Sequence, residues 1–348
     1  MDIVTHGLAS LAIARGFFPR VGKAAMAGAV LAGTIANLDW LSYYFGPSAY
    51  LTWHTTYLHS VSAAVLVSVA LAASLLAISS GKNTAGADEP SRANTMTKNR
   101  VTVAGFAALL IAFLLHIAMD TCQSSGVMLF WPFSPKRFAA DWLPAIDPWI
   151  LTIFIGCIAV PELLHLVGSE IGAKAKKPRG QTGAIVGLAL VTIYVGVRAT
   201  LHSNVIARME AHTFHGETPR RASAFPEALS PVAWHGVVET DSALNLIDVN
   251  AGSPDTFDAD SSVRLFKPEP SPALDAARNT AVAKQFLATA QIPKASLEKT
   301  EAGYTVILRD LRYSASGETQ REVAAVIELD PANKVTSQEL VWAQELRH

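Results

Sequence analysis

His116 and Asp120 stand four residues apart at the end of the most apolar run of the chain, Val101 to Asp120. Ionisable groups are costly in a lipid-facing helix and are normally excluded from it. On a helix, the i and i+4 spacing puts both side chains on one face, one turn apart. An imidazole nitrogen and a carboxylate placed this way suit one metal ion, as neighbouring helical ligands do in zinc sites. His6, Asp39, His54 and His59 are of the same chemical types and fall at or near the ends of other apolar segments. With His116 and Asp120 they make six candidate metal ligands. Histidine with aspartate favours zinc, or a mixed site with iron or manganese. Six groups exceed the needs of one tetrahedral ion, and paired ions are a common device for phosphoester hydrolysis. Asp141 and Asp147 follow in the next link, as candidates for a general base or for orienting a ligand imidazole.

These residues need elements to hold them, and composition says which kind. Half of the 348 residues are hydrophobic and only 16% are charged, against ~25% in ordinary soluble domains. The long apolar runs fall before about residue 200. The expected fold is therefore a mainly α-helical integral membrane domain over 1–200, followed by a small soluble α+β domain over 201–348. Five runs approach the ~20 residues that cross hydrocarbon: about 24–41, 58–79, 101–119, 149–168 and 182–200. A shorter apolar helix, about 3–16, precedes them. The start of the chain lacks the basic stretch of a signal peptide, so the spans themselves are expected to direct insertion.

Basic residues set the orientation. Arg15, Arg20 and Lys23 form one cluster; Lys82, Arg92, Lys98 and Arg100 a second; Lys174, Lys176, Lys177 and Arg179 a third. Five alternating spans place all three clusters in the cytoplasm. The same count, which uses none of the candidate ligands, puts all six on the outer side together with the C-terminal domain. In that domain 232–239, 244–249, 304–308 and 323–329 alternate as half-buried strands do. Residues 272–291 carry helical periodicity.

Other chemistries find less support. Glu162 and His165 have the Glu-x-x-His spacing of di-iron bundles but belong to the inner end of a span. Arg198 suits either snorkelling or an anion contact. His202, His212 and His215 read as surface groups that could still reach the site. Cys122 and Cys157 lack zinc-type spacing and read as free thiols. No phosphate-binding glycine loop and no serine elbow is present. A net charge of −1 argues against nucleic acid as a partner.

Several motifs together resemble a known family. They are Met1-Asp-x3-His6, Asn37-Leu-Asp39, His54-x4-His59-Ser60, His116-x3-Asp120, and Leu129-Phe-Trp-Pro-Phe-Ser134 leading to Ile146-Asp147-Pro148. They resemble the YdjM-like membrane-bound, metal-dependent hydrolases, themselves remotely similar to zinc-dependent phospholipase C and related nucleases. The resemblance covers roughly residues 1–170. It implies one to three divalent ions, Zn2+ first among them, held by His and Asp, with Asp39, His54 or His59, and His116 with Asp120 in the matching order. Asn37 departs from the family, which often has an aspartate there.

The reading that follows is a hydrolase in the bacterial inner membrane. It would cleave a phosphoester or other ester of a lipid or envelope component at the outer face, with the bilayer as its partner. The rival is a non-catalytic membrane protein with a structural His/Asp metal site and a partner-binding tail. A transporter fits less well, because the ionisable groups gather at one face and not at the midplane.

Overall fold

The computed structural model describes residues 1–81, 92–161, 163, 180–253, 258–313 and 322–347. The chain divides into two units. The first comprises Met1–Asp39 and Thr55–Val197; the second comprises Trp40–His54 and Arg198–His348.

In the first unit, α1 (Ile3–Phe17) starts at Asp2, whose carboxylate accepts from the backbone of Val4 (3.0 Å) and Thr5 (2.9 Å). This N-cap satisfies two donors that a helix start leaves open. α2 (Gly22–Ala32) and α5 (Arg92–Thr121) pack with it, and α4 (Val61–Gly81) packs on α2 and α5. A short α3 (Pro47–Trp53) lies in the second unit. Ala14, Ala29, Ala108 and Ala112 are fully buried where α1, α2 and α5 meet. Small side chains there let the backbones approach closely, as in membrane bundles.

Among the described residues four helical stretches are long and apolar enough to cross a membrane: Gly22–Phe45, Val61–Ile78, Thr102–Thr121 and Gln181–Glu210. The first is not one continuous α-helix. It leaves α-geometry after Ala32 and resumes as a 3-10 helix, Ile35–Phe45. The expected span 149–168 appears as α6 (Pro148–Phe154) running into a π-turn, Ile155–Ala159. Its inner part, with Glu162 and His165, lies outside the described residues.

In the second unit, α7 (Gln181–Glu210, shared with the first) is followed by two four-stranded antiparallel sheets. The first sheet has the order β1 (Arg221–Pro226), β2 (Ala233–Glu239), β3 (Ala243–Asn250) and β4 (Val263–Phe266). The second has β5 (Pro293–Thr300), β6 (Gly303–Asp310), β7 (Val323–Leu329) and β8 (Val335–Trp342). The four strands read from alternation are β2, β3, β6 and β7, the inner strands of each sheet. The helical stretch 272–291 forms as two helices, α8 (Pro272–Arg278) and α9 (Ala281–Leu287). Thr280 breaks them, its hydroxyl capping α9 through the N–H of Ala283 at 3.1 Å. Gly303 opens β6 with φ of 142°. A Cβ there would lie 2.0 Å from the Leu329 carbonyl oxygen, so only glycine fits.

Candidate metal centre

Four elements of the first unit deliver polar side chains to one buried place. α1 brings His6, the turn before α4 brings His59, the last turn of α5 brings His116 and Asp120, and the 3-10 segment brings Asn37 and Asp39. His6, His59, His116 and Asp120 are each no more than 2% exposed. Asp120 stands at the centre. Its Oδ1 lies 3.3 Å from His6 Nε2. Its Oδ2 lies 3.0 Å from His59 Nε2 and 3.2 Å from His116 Nε2. The last two nitrogens are 3.1 Å apart. Gln123 and the amino nitrogen of Met1 also contact Asp120 Oδ1.

The far side of each imidazole shows which nitrogen is directed inward. His116 Nδ1 lies 2.8 Å from the Gly33 carbonyl oxygen. A carbonyl only accepts, so Nδ1 carries the proton and Nε2 presents a lone pair. His6 Nδ1 lies 3.0 Å from Asn37 Oδ1. The amide orientation is set by its own Nδ2, which donates to the Met1 carbonyl at 3.0 Å, so His6 Nδ1 is again the donor. His59 Nδ1 lies 3.0 Å from Asp39 Oδ2, an oxygen that also accepts the Thr55 N–H at 2.7 Å. Backbone or side-chain oxygens that hold the outer nitrogen of a ligand imidazole are the usual supporting arrangement of a metal site.

The donor set fits a divalent ion. His6 Nε2 and His59 Nδ1 are both buried within ion-pair distance of an aspartate oxygen, at 3.3 and 3.0 Å, and neither makes a hydrogen bond. A tetrahedral zinc ion with bonds of ~2.0–2.1 Å holds its ligand atoms roughly 3.3 Å apart. Asp120 Oδ2 and the Nε2 atoms of His59 and His116 are 3.0–3.2 Å apart, and His6 Nε2 lies 3.3 Å from the other oxygen, Oδ1. Donor atoms of His6, His116 and Asp120 lie within 4.8 Å of one another, so this buried group can hold a metal ion.

The Gly33 contact depends on the break in the first apolar stretch. A carbonyl within an α-helix is spent on the amide four residues on. Leaving α-geometry at Gly33 and Thr34 frees such a group. Thr55 is also unusual, with φ of 55°, a strained value for a β-branched residue. Its hydroxyl and that of Thr56 accept from Arg137 at 2.8 Å each. Neither the free Gly33 carbonyl nor the Thr55 turn leaves a signal in sequence. Gln123 does, as a buried amide three residues after Asp120 on an otherwise apolar face.

The other expected site residues have different surroundings. Asp39 Oδ2 faces the outer nitrogen of His59 and not Asp120. His54 belongs to the second unit, where its ring stacks on Tyr50 with centroids 4.6 Å apart. Asp147 caps α6 through the N–H groups of Trp149 (2.9 Å) and Ile150 (3.1 Å), and its Oδ2 accepts the Tyr194 hydroxyl at 3.0 Å. Asp141 is half-buried with φ of 58°. Neither Asp141 nor Asp147 is in the group around Asp120. In the second unit the Arg198 guanidinium lies 4.3 Å from the Trp234 ring. There His202, His212 and His215 bond backbone carbonyls of Ala224, Arg208 and Ser262. Cys122 and Cys157 are both free, and burial with nearby Asp120 pushes the Cys122 thiol up to about 11, so it stays protonated at neutral pH.

Residues 1–205 match the model of the YdjM inner membrane protein family. The chain belongs to that family. The YdjM match contains every residue of the cluster and, with the apolar helices, identifies an integral membrane protein. Residues 272–348 match the YfhP C-terminal alpha/beta plait domain, which takes in α8, α9 and the second sheet. No curated protein and no solved structure matches the chain.

Proposed function

We propose that this YdjM protein is a metal-dependent hydrolase that cleaves a phosphoester or related ester of a lipid or envelope component. The observation that carries the reading is the convergence of three imidazole Nε2 atoms on the Asp120 carboxylate, with the outer nitrogens of His6 and His116 committed to fixed oxygens. Such a set holds a divalent cation, with zinc first by its preference for nitrogen and carboxylate in tetrahedral array. When bound, the ion supplies Lewis acidity toward water and toward an ester oxygen.

The protein's own groups have distinct roles in this reading. His6, His59, His116 and Asp120 are the ligands. Asn37, Asp39 and the Gly33 carbonyl orient the three imidazoles. Arg137 steadies the Thr55 turn that supports Asp39. Asp147 holds α6 to α7 through Tyr194 and is not needed as a base. The positive-inside count supports a position at the outer face.

Near-complete burial also favours a second reading, a closed structural metal site, since catalytic sites keep one position open. Metal analysis of protein purified in mild detergent without chelators separates the two readings. The hydrolase reading expects bound transition metal, loss of it in His116→Ala and Asp120→Ala, and hydrolysis of a phosphodiester panel that both substitutions abolish. Metal-free wild type overturns both readings. Metal retained with no ester cleaved leaves the structural site.

A further inference from the structure

The link after α5 carries a loop whose exposed aromatic tip is not in the group around Asp120. Residues 129–138 read Leu-Phe-Trp-Pro-Phe-Ser-Pro-Lys-Arg-Phe. Phe133 at its tip is 88% exposed and Phe130 is 49% exposed. Exposed aromatic side chains so close together are unfavourable in water. Lys136 adds one cation, its ammonium 5.2 Å from the Phe138 ring.

The loop's attachments fix its depth. Val61 opens a candidate span and donates its N–H to the Leu129 carbonyl at 3.0 Å. Trp131 packs edge-on against Tyr57 with centroids 5.0 Å apart. Val127 and Phe138 exchange backbone hydrogen bonds of 3.0 and 2.9 Å, closing the neck of the loop. Two residues on, Ala140 donates at 2.9 Å to Thr121, the last residue of another candidate span. Both sides of the loop are therefore tied to residues where apolar spans stop, which is the boundary between hydrocarbon and water. Aromatic rings concentrate at that depth, and lysine there reaches lipid headgroups.

The foot of the loop is tied to the turn beside the candidate centre. The N–H of Met128 donates to the Thr55 carbonyl at 3.3 Å, and Thr55 in turn donates to Asp39. A ligand resting on the loop would therefore lie next to the turn that supports His59.

We propose that residues 129–138 form a lip that contacts bilayer lipid and admits a membrane-resident phosphoester to the centre. The substrate class is then a phospholipid or lipid-linked phosphate. The part concerning substrate rests on the hydrolase reading; the part concerning lipid contact does not.

Two measurements test it. A nitroxide is attached to Phe133→Cys, with Cys122 and Cys157 replaced by alanine, in vesicles of phosphatidylethanolamine and phosphatidylglycerol. Collision with oxygen should exceed collision with a water-soluble nickel chelate. Nickel accessibility equal to that of free label in buffer overturns the lip. In the second, Phe133→Ser should lower hydrolysis of vesicle-borne phosphatidylglycerol several-fold and leave bis(p-nitrophenyl) phosphate unchanged, with Phe133→Leu close to wild type. Equal loss on both esters, or none on either, overturns the access role. If wild type cleaves neither ester, the hydrolase reading fails and the depth measurement alone decides the lip.

Discussion

Gly33→Ala is the sharpest test of how the helices aim His116. A Cβ at position 33 would lie 1.7 Å from Ser10 Oγ, 2.8 Å from Ser10 Cβ and 3.3 Å from the Ala112 carbonyl oxygen. Ser10 cannot escape by rotating alone. Its hydroxyl donates to the His6 carbonyl at 2.7 Å, a bond worth about 1 kcal/mol, and its Cβ would still clash. α1 and α2 must therefore separate. Overpacking of this kind costs roughly 1–3 kcal/mol, and the upper end applies because backbone atoms are involved. At roughly 2–4 °C per kcal/mol for a domain of this size, the melting temperature should fall by about 6–12 °C. The same shift moves the Gly33 carbonyl away from His116 Nδ1. Losing such support lowers metal affinity by roughly 10–100-fold. Thermal melts in detergent and zinc titration by calorimetry read both effects. Ser10→Gly in the alanine background removes both clashing Ser10 atoms and should recover most of each. Wild-type melting and wild-type zinc affinity in Gly33→Ala, or no recovery in the double variant, would refute the packing argument.

Three further outcomes follow from the same geometry. Asn37→Asp keeps an acceptor for His6 Nδ1 and should retain metal, whereas Asn37→Leu removes it and should weaken binding by roughly 10-fold or more; equal zinc affinities in the two variants would show that position 37 does not orient His6. Arg137→Ala releases the two threonine hydroxyls and should weaken zinc binding, with Arg137→Lys restoring only part because one ammonium cannot reproduce the guanidinium fork; calorimetric titration matching wild type would remove Arg137 from the support. His235 is buried in β2, and burial holds its imidazole below the usual 6.5 against the opposing pull of Asp248 at 3.4 Å. The unfolded chain takes up that proton more readily, so this stability is full above about 6.5 and is lost as pH falls through the lower folded value; melts from pH 7.5 to 5 should drop more steeply for wild type than for His235→Gln, and parallel slopes would sink the idea.

The side chains that gather at Asp120 were legible in sequence because ionisable groups at the ends of apolar runs are rare and costly. His6, His59, His116 and Asp120 were all found that way. The helical region, the α+β tail and the inner strand of each hairpin pair followed from composition and period. Outer strands such as β5 and β8, which keep most of their side chains exposed or half-buried, carried no alternation to find.

Tertiary structure decided the rest. His54 and His59 share a chain segment and a residue type, and only packing assigned His59 to Asp120 and His54 to Tyr50. Asp39 and Asp147 are both buried acids, yet one faces an imidazole and the other caps a helix. The free carbonyl of Gly33 exists only because α2 stops at Ala32, and it matters only because α5 brings His116 within 2.8 Å. Sequence determined which groups are available for metal chemistry, since that depends on side-chain type and burial cost. Which nitrogen of each imidazole turns inward depends on what lies behind it, and those partners come from elements 31 to 83 residues away, except for the Asp39 that precedes His59.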